Sequence, residues 1–196
     1  HQRPVHIISA NLHSIMNILY GRGALETAGL AVPEDLYDMI HLIRDQEIDV
    51  AGYAATHGFI EHPDNSGSSI DVQIIDTKGI TTPCFHPALN IDLDLLSTQE
   101  SVIVVIDYAF GTQAYEIMDE LLSPTSAADS LISLQIESIS IMGKAGILPG
   151  SKGDIMLATA HVVEGTPHNY IVNNDLSPSD FGNQAVVFTG PMLTVL

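Results

Sequence analysis

Two glycine turns carry residues that can bind an anion without a metal. In the first, Lys144 lies between Gly143 and Gly146 at the end of an apolar run that predicts a buried strand. A lysine in such a turn can act as a point charge for a phosphate group. In the second, Gly111 and Thr112 follow the run VIVVI and precede a helical pattern. The backbone N–H groups at the start of that helix could hold an anion, and a plain strand-to-helix turn with Thr112 as the N-cap is the alternative.

The stretch GILPGSKG (146–153) resembles a Walker A phosphate loop only superficially. That loop requires the order Gly-Lys-Ser/Thr after four spacer residues. Here Ser151 precedes Lys152, and only three residues separate the first two glycines. We therefore interpret this stretch as a connection between two strands, with Gly150 and Gly153 as turn residues.

The stretch HGFIEHPD (57–64) brings together side-chain types that ligate metals, namely His57, Glu61, His62 and Asp64. Its spacing, HxxxEH, matches neither of the zinc-protease patterns HExxH and HxxEH. It also lies beside a loop rich in glycine, serine and asparagine, DNSGSS (64–69). We interpret it as a polar surface loop and predict no metal, while a metal hydrolase built on these side chains stays open as an alternative.

The composition excludes two classes of partner. The 196 residues include 24 acidic and only 6 basic side chains, for a formal net charge of −18. Nucleic acids and anionic membranes both bind through lysine and arginine, so neither is an expected partner. Apolar residues make up 45% of the chain and charged residues only 15%. Because so little polar material is left to cover the surface, we expect a homo-oligomer.

The single cysteine, Cys84, cannot form an intramolecular disulfide, which suits a reducing compartment. The sequence has no apolar run of roughly 18 residues and no signal-peptide pattern at its start. We therefore predict a cytoplasmic protein. The sequence does not start with methionine and ends on the strand-like AVVFTGPMLTVL, so we expect the fold to continue past Leu196.

Helical periodicity is clearest in the first fifty residues. A helix is predicted to begin near Leu12 and to stop at Gly21. The segment VPEDLYDMIHLIRDQEI (32–48) predicts a second helix, with Pro33 in its first turn. Its apolar stripe consists of Leu36, Met39, Ile40 and Ile43.

Strands and one further helix follow. The run VIVVI (102–106) is continuously β-branched, as in a strand buried on both faces, and TQAYEIMDELL (112–122) predicts the helix after it. SPTSAADS reads as a loop. Strands are also predicted in IDVQIID, LISLQIESISIMG, GDIMLATAHVV and NQAVVFTGPMLTV. This order predicts an α/β fold with a largely parallel sheet, in a single domain over 1–196 whose more regular core is 101–196. A boundary near residue 100 is the alternative, and residues 1–100 stay unassigned.

The segment MGKAGILPGSKGDIMLATAHVVEGTPHNY (142–170) resembles the central segment of AMP nucleosidases and, more distantly, of nucleoside phosphorylases. In those enzymes a strand ends in a Gly-Lys turn, Gly-Asp opens the next strand, and an acidic-Gly-Thr/Ser segment with a nearby aromatic follows. The matching residues are Gly143, Lys144, Gly146, Leu148, Gly153, Asp154, Glu164, Gly165, Thr166, Asn169 and Tyr170. The resemblance covers roughly 101–196.

The resemblance implies a nucleoside-phosphorylase-like three-layer sandwich around a mixed, mostly parallel and partly barrel-like central sheet, possibly incomplete at the C-terminus. It implies cleavage of the N-glycosidic bond of a purine nucleotide or nucleoside, by water or by phosphate, with no metal or other cofactor. The phosphate would be bound by Gly111, Thr112, Gly143 and Lys144. The sugar and base would lie near Glu164, Thr166 and Tyr170.

The sequence departs from that family in two respects. Ile147 stands where the family has a glycine, and no arginine occurs in 101–196, although arginines usually hold the phosphate in these enzymes. The family's further ribose and purine contacts lie downstream of the residues present here. The sequence therefore assigns no catalytic residue, and a non-catalytic nucleotide-binding or assembly protein on the same fold stays open as the alternative.

Overall fold

The computed structural model describes residues 3–65, 67–80, 84–109, 111–127, 130–146, 148–163, 167, 169–171, 173–182 and 185–194. The chain divides into two compact units, His1–Gly143 and Lys144–Leu196. The division lies inside the segment 101–196 that the sequence predicts as one core, and the single domain stays a prediction. Within the described residues, no helix is both long enough and apolar enough to cross a membrane.

The first unit contains seven strands and five α-helices among its described residues. In chain order they are β1 Pro4–Ser9, α1 Leu12–Thr27, α2 Leu36–Asp45, α3 Val50–Ala55, β2 Phe59–His62, β3 Val72–Asp76, α4 Leu93–Gln99, β4 Val102–Ile106, α5 Gly111–Leu122, β5 Thr125–Ala127, β6 Ser130–Ile132 and β7 Gln135–Ile141. A short 3-10 helix, Thr77–Gly79, follows β3. The predicted strand–turn–helix sequence of β4 and α5 is confirmed.

Five of these strands form one sheet in the order β2-β3-β4-β1-β7. Strand β1 is parallel to both β4 and β7, whereas β2–β3 and β3–β4 are antiparallel. The predicted α/β class and the mixed sheet are therefore confirmed. The sheet is not mostly parallel, because its described pairings are half of each kind. It is also open, with β2 and β7 at the ends of the described strands, so the partly barrel-like form is wrong for this unit.

Helices cover both faces of this sheet because β4 is apolar on both sides. Val105 packs into a core with α1, α2 and α3, in which Met39 is fully buried. Val104 and Ile106 point to the opposite face, where the partly buried Ile117 of α5 packs against them. The prediction of a strand buried on both faces is confirmed.

Helix α2 confirms the clearest helical prediction, but it begins at Leu36 with Asp35 as its N-cap, so the placement of Pro33 in its first turn is wrong. The carboxylate of Asp35 accepts hydrogen bonds from the backbone N–H groups of Tyr37 and Asp38, which satisfies two donors of the first turn. Met39 and Ile43 are buried, as the apolar stripe predicts.

Helix α1 contains two glycines, Gly21 and Gly23, that do not end it. The helix continues through Gly21 and ends at Thr27. A Cβ atom on Gly21 would lie 2.6 Å from Cδ1 of Ile43, and one on Gly23 would lie 2.1 Å from the hydroxyl oxygen of Tyr53. The two glycines therefore let neighbouring helices pack closely, and the predicted stop at Gly21 is wrong.

Two predictions between residues 123 and 143 also need correction. The expected loop SPTSAADS contains β5, which pairs antiparallel with β6, and LISLQIESISIMG divides into β6 and β7. The strand before Lys144 was expected to be buried, yet β7 is largely exposed, and Ile141 retains 77% of its accessible surface. The reason is its place at the end of the sheet, where β1 is its only described neighbour.

The second unit has its own three-stranded sheet in the order β10-β8-β9. Its strands are β8 Ile155–Val163, β9 Asn169–Ile171 and β10 Val187–Thr194. Strands β8 and β10 confirm two predicted strands and pair in parallel, but in this separate sheet. Strand β9 is antiparallel to β8 and was not predicted. A capped 3-10 helix, Pro178–Phe181, precedes β10.

Candidate functional site

One row of paired residues marks the edge at which β1, β4 and β7 all end. The row runs across the five-stranded sheet as His62, Val72, Ile106, Ser9 and Ile141. Because β1, β4 and β7 are parallel, the segments that follow them all leave from this edge, which we call the carboxyl edge. In open α/β sheets, ligands bind beyond the carboxyl ends of the strands.

The strand order changes direction beside β1. From β1 the chain reaches β4 on one side, and from β4 it crosses to β7 on the other side. Open α/β sheets bind ligands beside switch points of this kind. The segments that follow β1 and β7 here are the start of α1, which Asn11 caps, and the irregular segment at Gly143. The backbone N–H of Met142 donates to the carbonyl of Ser9 and ties the two segments together at 2.9 Å.

The Gly111 turn also lies at the carboxyl edge, because it follows β4. Gly111 opens α5 with a φ of +56°, a left-handed value that suits glycine, and both Gly111 and Thr112 are exposed. Thr112 lies inside the helix, so the interpretation of Thr112 as the N-cap is wrong. The side-chain amide of Gln113 donates to the carbonyl of Ser68, which joins the first turn of α5 to the loop at 63–71.

Aspartates close the loop at 63–71. One carboxylate oxygen of Asp64 accepts from the backbone N–H groups of Gly67 at 2.9 Å and Ser69 at 2.7 Å. The N–H of Asp64 donates to the carboxylate of Asp71 at 2.8 Å, and the N–H of Asp107 donates to the Asp71 carbonyl at 3.2 Å. The loop is therefore held against the end of β4.

A groove of about 510 Å³ lies between this loop and α5. His62, Asp64, Asn65 and Ser68 supply polar groups to it, and Ile117 supplies an apolar wall. The structure thus brings the predicted Gly111 turn and part of the histidine-containing stretch to one place. Sequence reasoning treated these two features as unrelated.

The metal-binding alternative gains no support from this arrangement. His57 stacks on Tyr53 with a centroid distance of 4.1 Å, and its Nδ1 lies 2.9 Å from the Tyr53 carbonyl. Across the part of the chain that the structure describes, no group of three or more His, Cys, Asp or Glu residues is placed to hold a metal ion.

Asp107 is the residue at this edge that sequence reasoning missed. It directly follows β4 and is partly buried, and its carboxylate accepts from the backbone N–H of Tyr108 at 2.8 Å. Its position after a fully apolar strand was the available signal, because such positions face ligands in α/β sheets. A carboxylate there can accept hydrogen bonds from sugar hydroxyls or stabilise positive charge that develops on a substrate.

The carboxyl edge of the first unit is acidic, because hydrogen bonds hold Asp64 beside Asp71 and Asp71 beside Asp107. The basic residues of this unit pair with carboxylates elsewhere. The pairs are Arg3–Asp76, Arg22–Glu26, Arg44–Asp45 and Lys78–Glu100. Within this unit, therefore, an anion at the edge would depend on backbone N–H groups.

The remaining predicted residues belong to the second unit. Lys144 is its first residue and is exposed. Glu164 and Thr166 lie outside the described residues. Tyr170 lies in β9 and pairs in register with His161 of β8. Their proposed roles stay predictions.

The Walker A reading is rejected for a structural reason as well. Lys152 and Gly153 form an exposed turn immediately before β8, with Gly153 at a φ of +101°. The backbone N–H of Asp154 closes that turn on the carbonyl of Ser151 at 3.1 Å. The interpretation as a connection next to a strand is confirmed.

The fold and site define an α/β protein with an open mixed sheet and a candidate ligand site at the carboxyl edge. Residues 39–195 match a family model described as "Family of unknown function (DUF6909)", and the chain belongs to this family. The matched range contains Gly111, Asp107 and Gly143 and begins within α2, so it leaves out β1 and α1. Comparisons with curated proteins and with solved structures gave no match.

Proposed function

We propose that the protein binds a purine nucleoside or nucleotide at the carboxyl edge of the five-stranded sheet and cleaves its N-glycosidic bond. The observation that carries the proposal is the topology around β1. The segments at Gly111 and Gly143, which the resemblance to AMP nucleosidases assigns to the ligand, follow the two strands that flank β1. Both segments therefore leave the sheet from the same edge, beside its switch point.

The side chains at this edge suit the reaction. As the glycosidic bond breaks, the ribose ring gains positive charge, which a nearby carboxylate stabilises. Asp107 supplies such a carboxylate at the end of β4. The acidic edge repels a phosphate, so within the first unit a neutral nucleoside is the better fit. A nucleotide would need a cation, and Lys144 is the residue that the resemblance assigns to that role.

The direct experiment measures the release of free base. The protein is incubated with adenosine, inosine and AMP, with and without inorganic phosphate, and the products are separated by liquid chromatography. Ribose identifies hydrolysis, and ribose 1-phosphate identifies phosphorolysis. Release of base from at least one substrate supports the proposal, and no release from any of them overturns the catalytic part.

Asp107→Asn tests the assignment of the carboxylate. We expect the turnover number to fall by about a hundredfold, because a charge that stabilises the transition state is lost. Asp119→Asn is the matched control, since Asp119 is an exposed aspartate on α5. Equal activity in the Asp107 variant and the unaltered chain would remove Asp107 from the site.

Lys144→Ala tests the phosphate assignment separately. If Lys144 binds the phosphate, the dissociation constant for AMP rises by about tenfold while that for adenosine is unchanged. Lys152→Ala provides the control, because Lys152 lies in an exposed turn eight positions along the chain. An unchanged affinity for AMP removes Lys144 from the site.

A second candidate function, a non-catalytic assembly protein, has one observation in its favour. The last strands of the first unit expose large apolar side chains, namely Leu131, Ile132, Leu134, Ile139, Ile141 and Met142. Exposed apolar surface of this kind marks sites of protein association. Sedimentation equilibrium on the unaltered chain and on Ile141→Asp tests it. Adenosine binding without release of base, together with an oligomer that Ile141→Asp dissociates, would favour this candidate.

A further inference from the structure

A second cavity, of about 370 Å³, lies on the face of the sheet opposite the groove. Residues of α4 line it on one side, and residues of β4, β1 and β7 line it on the other. It is separate from the proposed nucleoside site, whose groove is lined by Val72 and Ile117 of the other core.

A serine and a histidine meet on the solvent-accessible wall of this cavity. Nδ1 of His6 lies 2.8 Å from Oγ of Ser138, and both side chains line the cavity. His6 is on β1 and Ser138 is its register partner on β7, so the sheet itself holds the two groups side by side. A hydroxyl within hydrogen-bond distance of a base is the arrangement that activates serine nucleophiles.

An irregularity in the sheet creates this pair. The register of β1 and β7 changes between Val5, which faces Ile136, and His6, which faces Ser138. One extra residue, Glu137, is accommodated in β7 at that point. Without it, Glu137 would stand opposite His6. Bulges of this type commonly re-aim side chains next to active sites.

The rest of the cavity is suited to a small ligand that is partly apolar. Ile8, Ile103 and Leu96 supply apolar surface, while Ser140 and Gln99 supply hydrogen-bonding groups. Asp92 is the other titratable residue that lines it, and one of its carboxylate oxygens already accepts from the N–H of Leu95 at 2.9 Å.

Other hydroxyl groups in the cavity are less suited to nucleophilic attack. The hydroxyl of Thr77 donates to the Ser101 carbonyl at 2.8 Å and is buried. Ser140 pairs in register with Ile8, which has no basic group. Ser138 therefore differs from these hydroxyl residues because its hydroxyl lies next to the imidazole of His6.

We propose that Ser138 is a nucleophile activated by His6 and that the cavity binds a small, uncharged acyl ester and hydrolyses it. Oγ of Ser138 forms a bond to the carbonyl carbon while its proton passes to Nδ1 of His6. The bond from that carbon to the leaving oxygen breaks, and His6 returns the proton to the alcohol that leaves. Water then attacks the acyl-serine ester, releases the acid and restores the Ser138 hydroxyl.

The experiment uses two probes on the full chain. Phenylmethylsulfonyl fluoride reports the nucleophile, because the serine oxygen displaces fluoride and leaves a stable sulfonyl adduct that peptide mass spectrometry can locate. p-Nitrophenyl butyrate reports turnover through the release of nitrophenolate. We expect one adduct per chain, on Ser138, and hydrolysis that this adduct abolishes. The site is read from the unaltered chain, so this result does not depend on a variant that folds.

Variants separate a catalytic pair from a structural hydrogen bond. Ser138→Ala should abolish labelling and turnover, and Ser133→Ala, an exposed serine five positions earlier that does not line the cavity, should retain both. His6→Ala should lower the rate by about a hundredfold, the typical contribution of a general base, and added imidazole should restore part of it. Circular dichroism confirms that each variant is folded. The proposal is overturned if the unaltered chain gives no adduct on Ser138, or if folded His6→Ala is labelled as fast as the unaltered chain.

Discussion

Arg3 and Asp76 form a two-pronged ion pair that spans the start of β4. Nη1 of Arg3 donates to Oδ2 of Asp76 at 2.9 Å, Nη2 donates to the other carboxylate oxygen, and Nη2 also donates to the Ser101 carbonyl at 3.2 Å. Arg3 precedes β1 and Asp76 ends β3, and β4 lies between those strands. A single guanidinium therefore links three strands at the edge opposite the candidate site.

Arg3→Ala should lower the free energy of unfolding by about 1 kcal/mol, a modest value because the side chains of Arg3 and Asp76 are 32% and 41% exposed. Urea denaturation followed by circular dichroism measures it. Arg44→Ala is the control, since the Arg44–Asp45 pair is more than half exposed on both sides and should contribute about 0.3 kcal/mol. Equal effects of the two substitutions would contradict the structural role of Arg3.

The same pair has a predicted pH dependence. The guanidinium of Arg3 holds the pKa of Asp76 below its ordinary value of 3.8. The pKa of Asp76 is lower in the folded state than in the unfolded state. The stabilisation is therefore complete at a pH above the unfolded-state pKa, and it is lost as the pH falls through the folded-state pKa. The difference in unfolding free energy between the unaltered chain and Asp76→Asn should therefore be constant from pH 7 to about pH 5 and shrink below about pH 4. A difference that shrinks between pH 7 and pH 6 would point to another group.

Gly23→Ala should destabilise the first unit by about 1–3 kcal/mol, although alanine normally favours a helix over glycine. The added Cβ would overlap the hydroxyl end of Tyr53, whose oxygen would lie 2.1 Å away. Thermal unfolding measures the change. In a Tyr53→Ala background the same substitution should be neutral or stabilising, and a loss of similar size in both backgrounds would contradict the packing explanation.

Gly111→Ala should cost about 1 kcal/mol, because a side chain at a φ of +56° is strained even though the space around Gly111 is open. Gly143→Ala is the matched control, since it is equally open and its φ is not in the left-handed region. Unfolding experiments on both variants test the difference. A larger loss for Gly143→Ala would show that the strain is not located at Gly111.

Gln73→Leu should stabilise the protein by about 1 kcal/mol. Gln73 is 1% exposed, and among the described residues its Oε1 is the buried side-chain atom without a hydrogen-bond partner. Removing an unpaired buried polar group regains its desolvation energy. Thr77→Val is the comparison variant, because the Thr77 hydroxyl is buried and donates a hydrogen bond to the Ser101 carbonyl. This substitution should destabilise the protein by about 1 kcal/mol. Destabilisation by both variants would indicate that Gln73 has a partner.

Asp64→Ala should release the loop at 63–71. Its carboxylate accepts from Gly67 and Ser69, and losing these bonds should raise the rate of limited proteolysis within the loop by about tenfold, which corresponds to about 1.4 kcal/mol of local opening. Asn65→Ala is the neighbouring control, since its amide donates only to the Pro63 carbonyl among its described bonds. Equal cleavage of the two variants would contradict a capping role for Asp64.

Local patterns in the sequence predicted local structure well. The apolar stripe of α2 and the β-branched run of β4 each determine which faces are buried, and both predictions are confirmed. Gly21 shows one limit of such predictions, because the sequence does not reveal which side chains pack against a glycine. Strands β8 and β10 show a second limit, since an apolar pattern predicts a strand but not the sheet to which that strand belongs.

Long-range pairing explains what the sequence did not reveal about the sites. The Gly111 turn was recognised as a strand-to-helix connection, but its contact with Ser68 depends on the loop conformation of a distant segment. The pairing of His6 with Ser138 depends on a register that contains one extra residue. No local periodicity encodes such a shift, so the proximity of His6 and Ser138 is apparent only in the folded sheet.

The position of β1 between β4 and β7 has a consequence for how the first unit folds. His6 and Ser138 are 132 positions apart, so the β7 side of β1 can pair only after most of the unit's chain is available. Contacts over such separations form slowly, because a long loop must be closed before they stabilise anything. Until β7 arrives, β1 presents an unpaired hydrophobic edge of the kind that recruits other chains. We therefore expect fragments that end before Gln135 to aggregate. For the intact chain, we expect refolding to be faster than aggregation when the protein concentration is low.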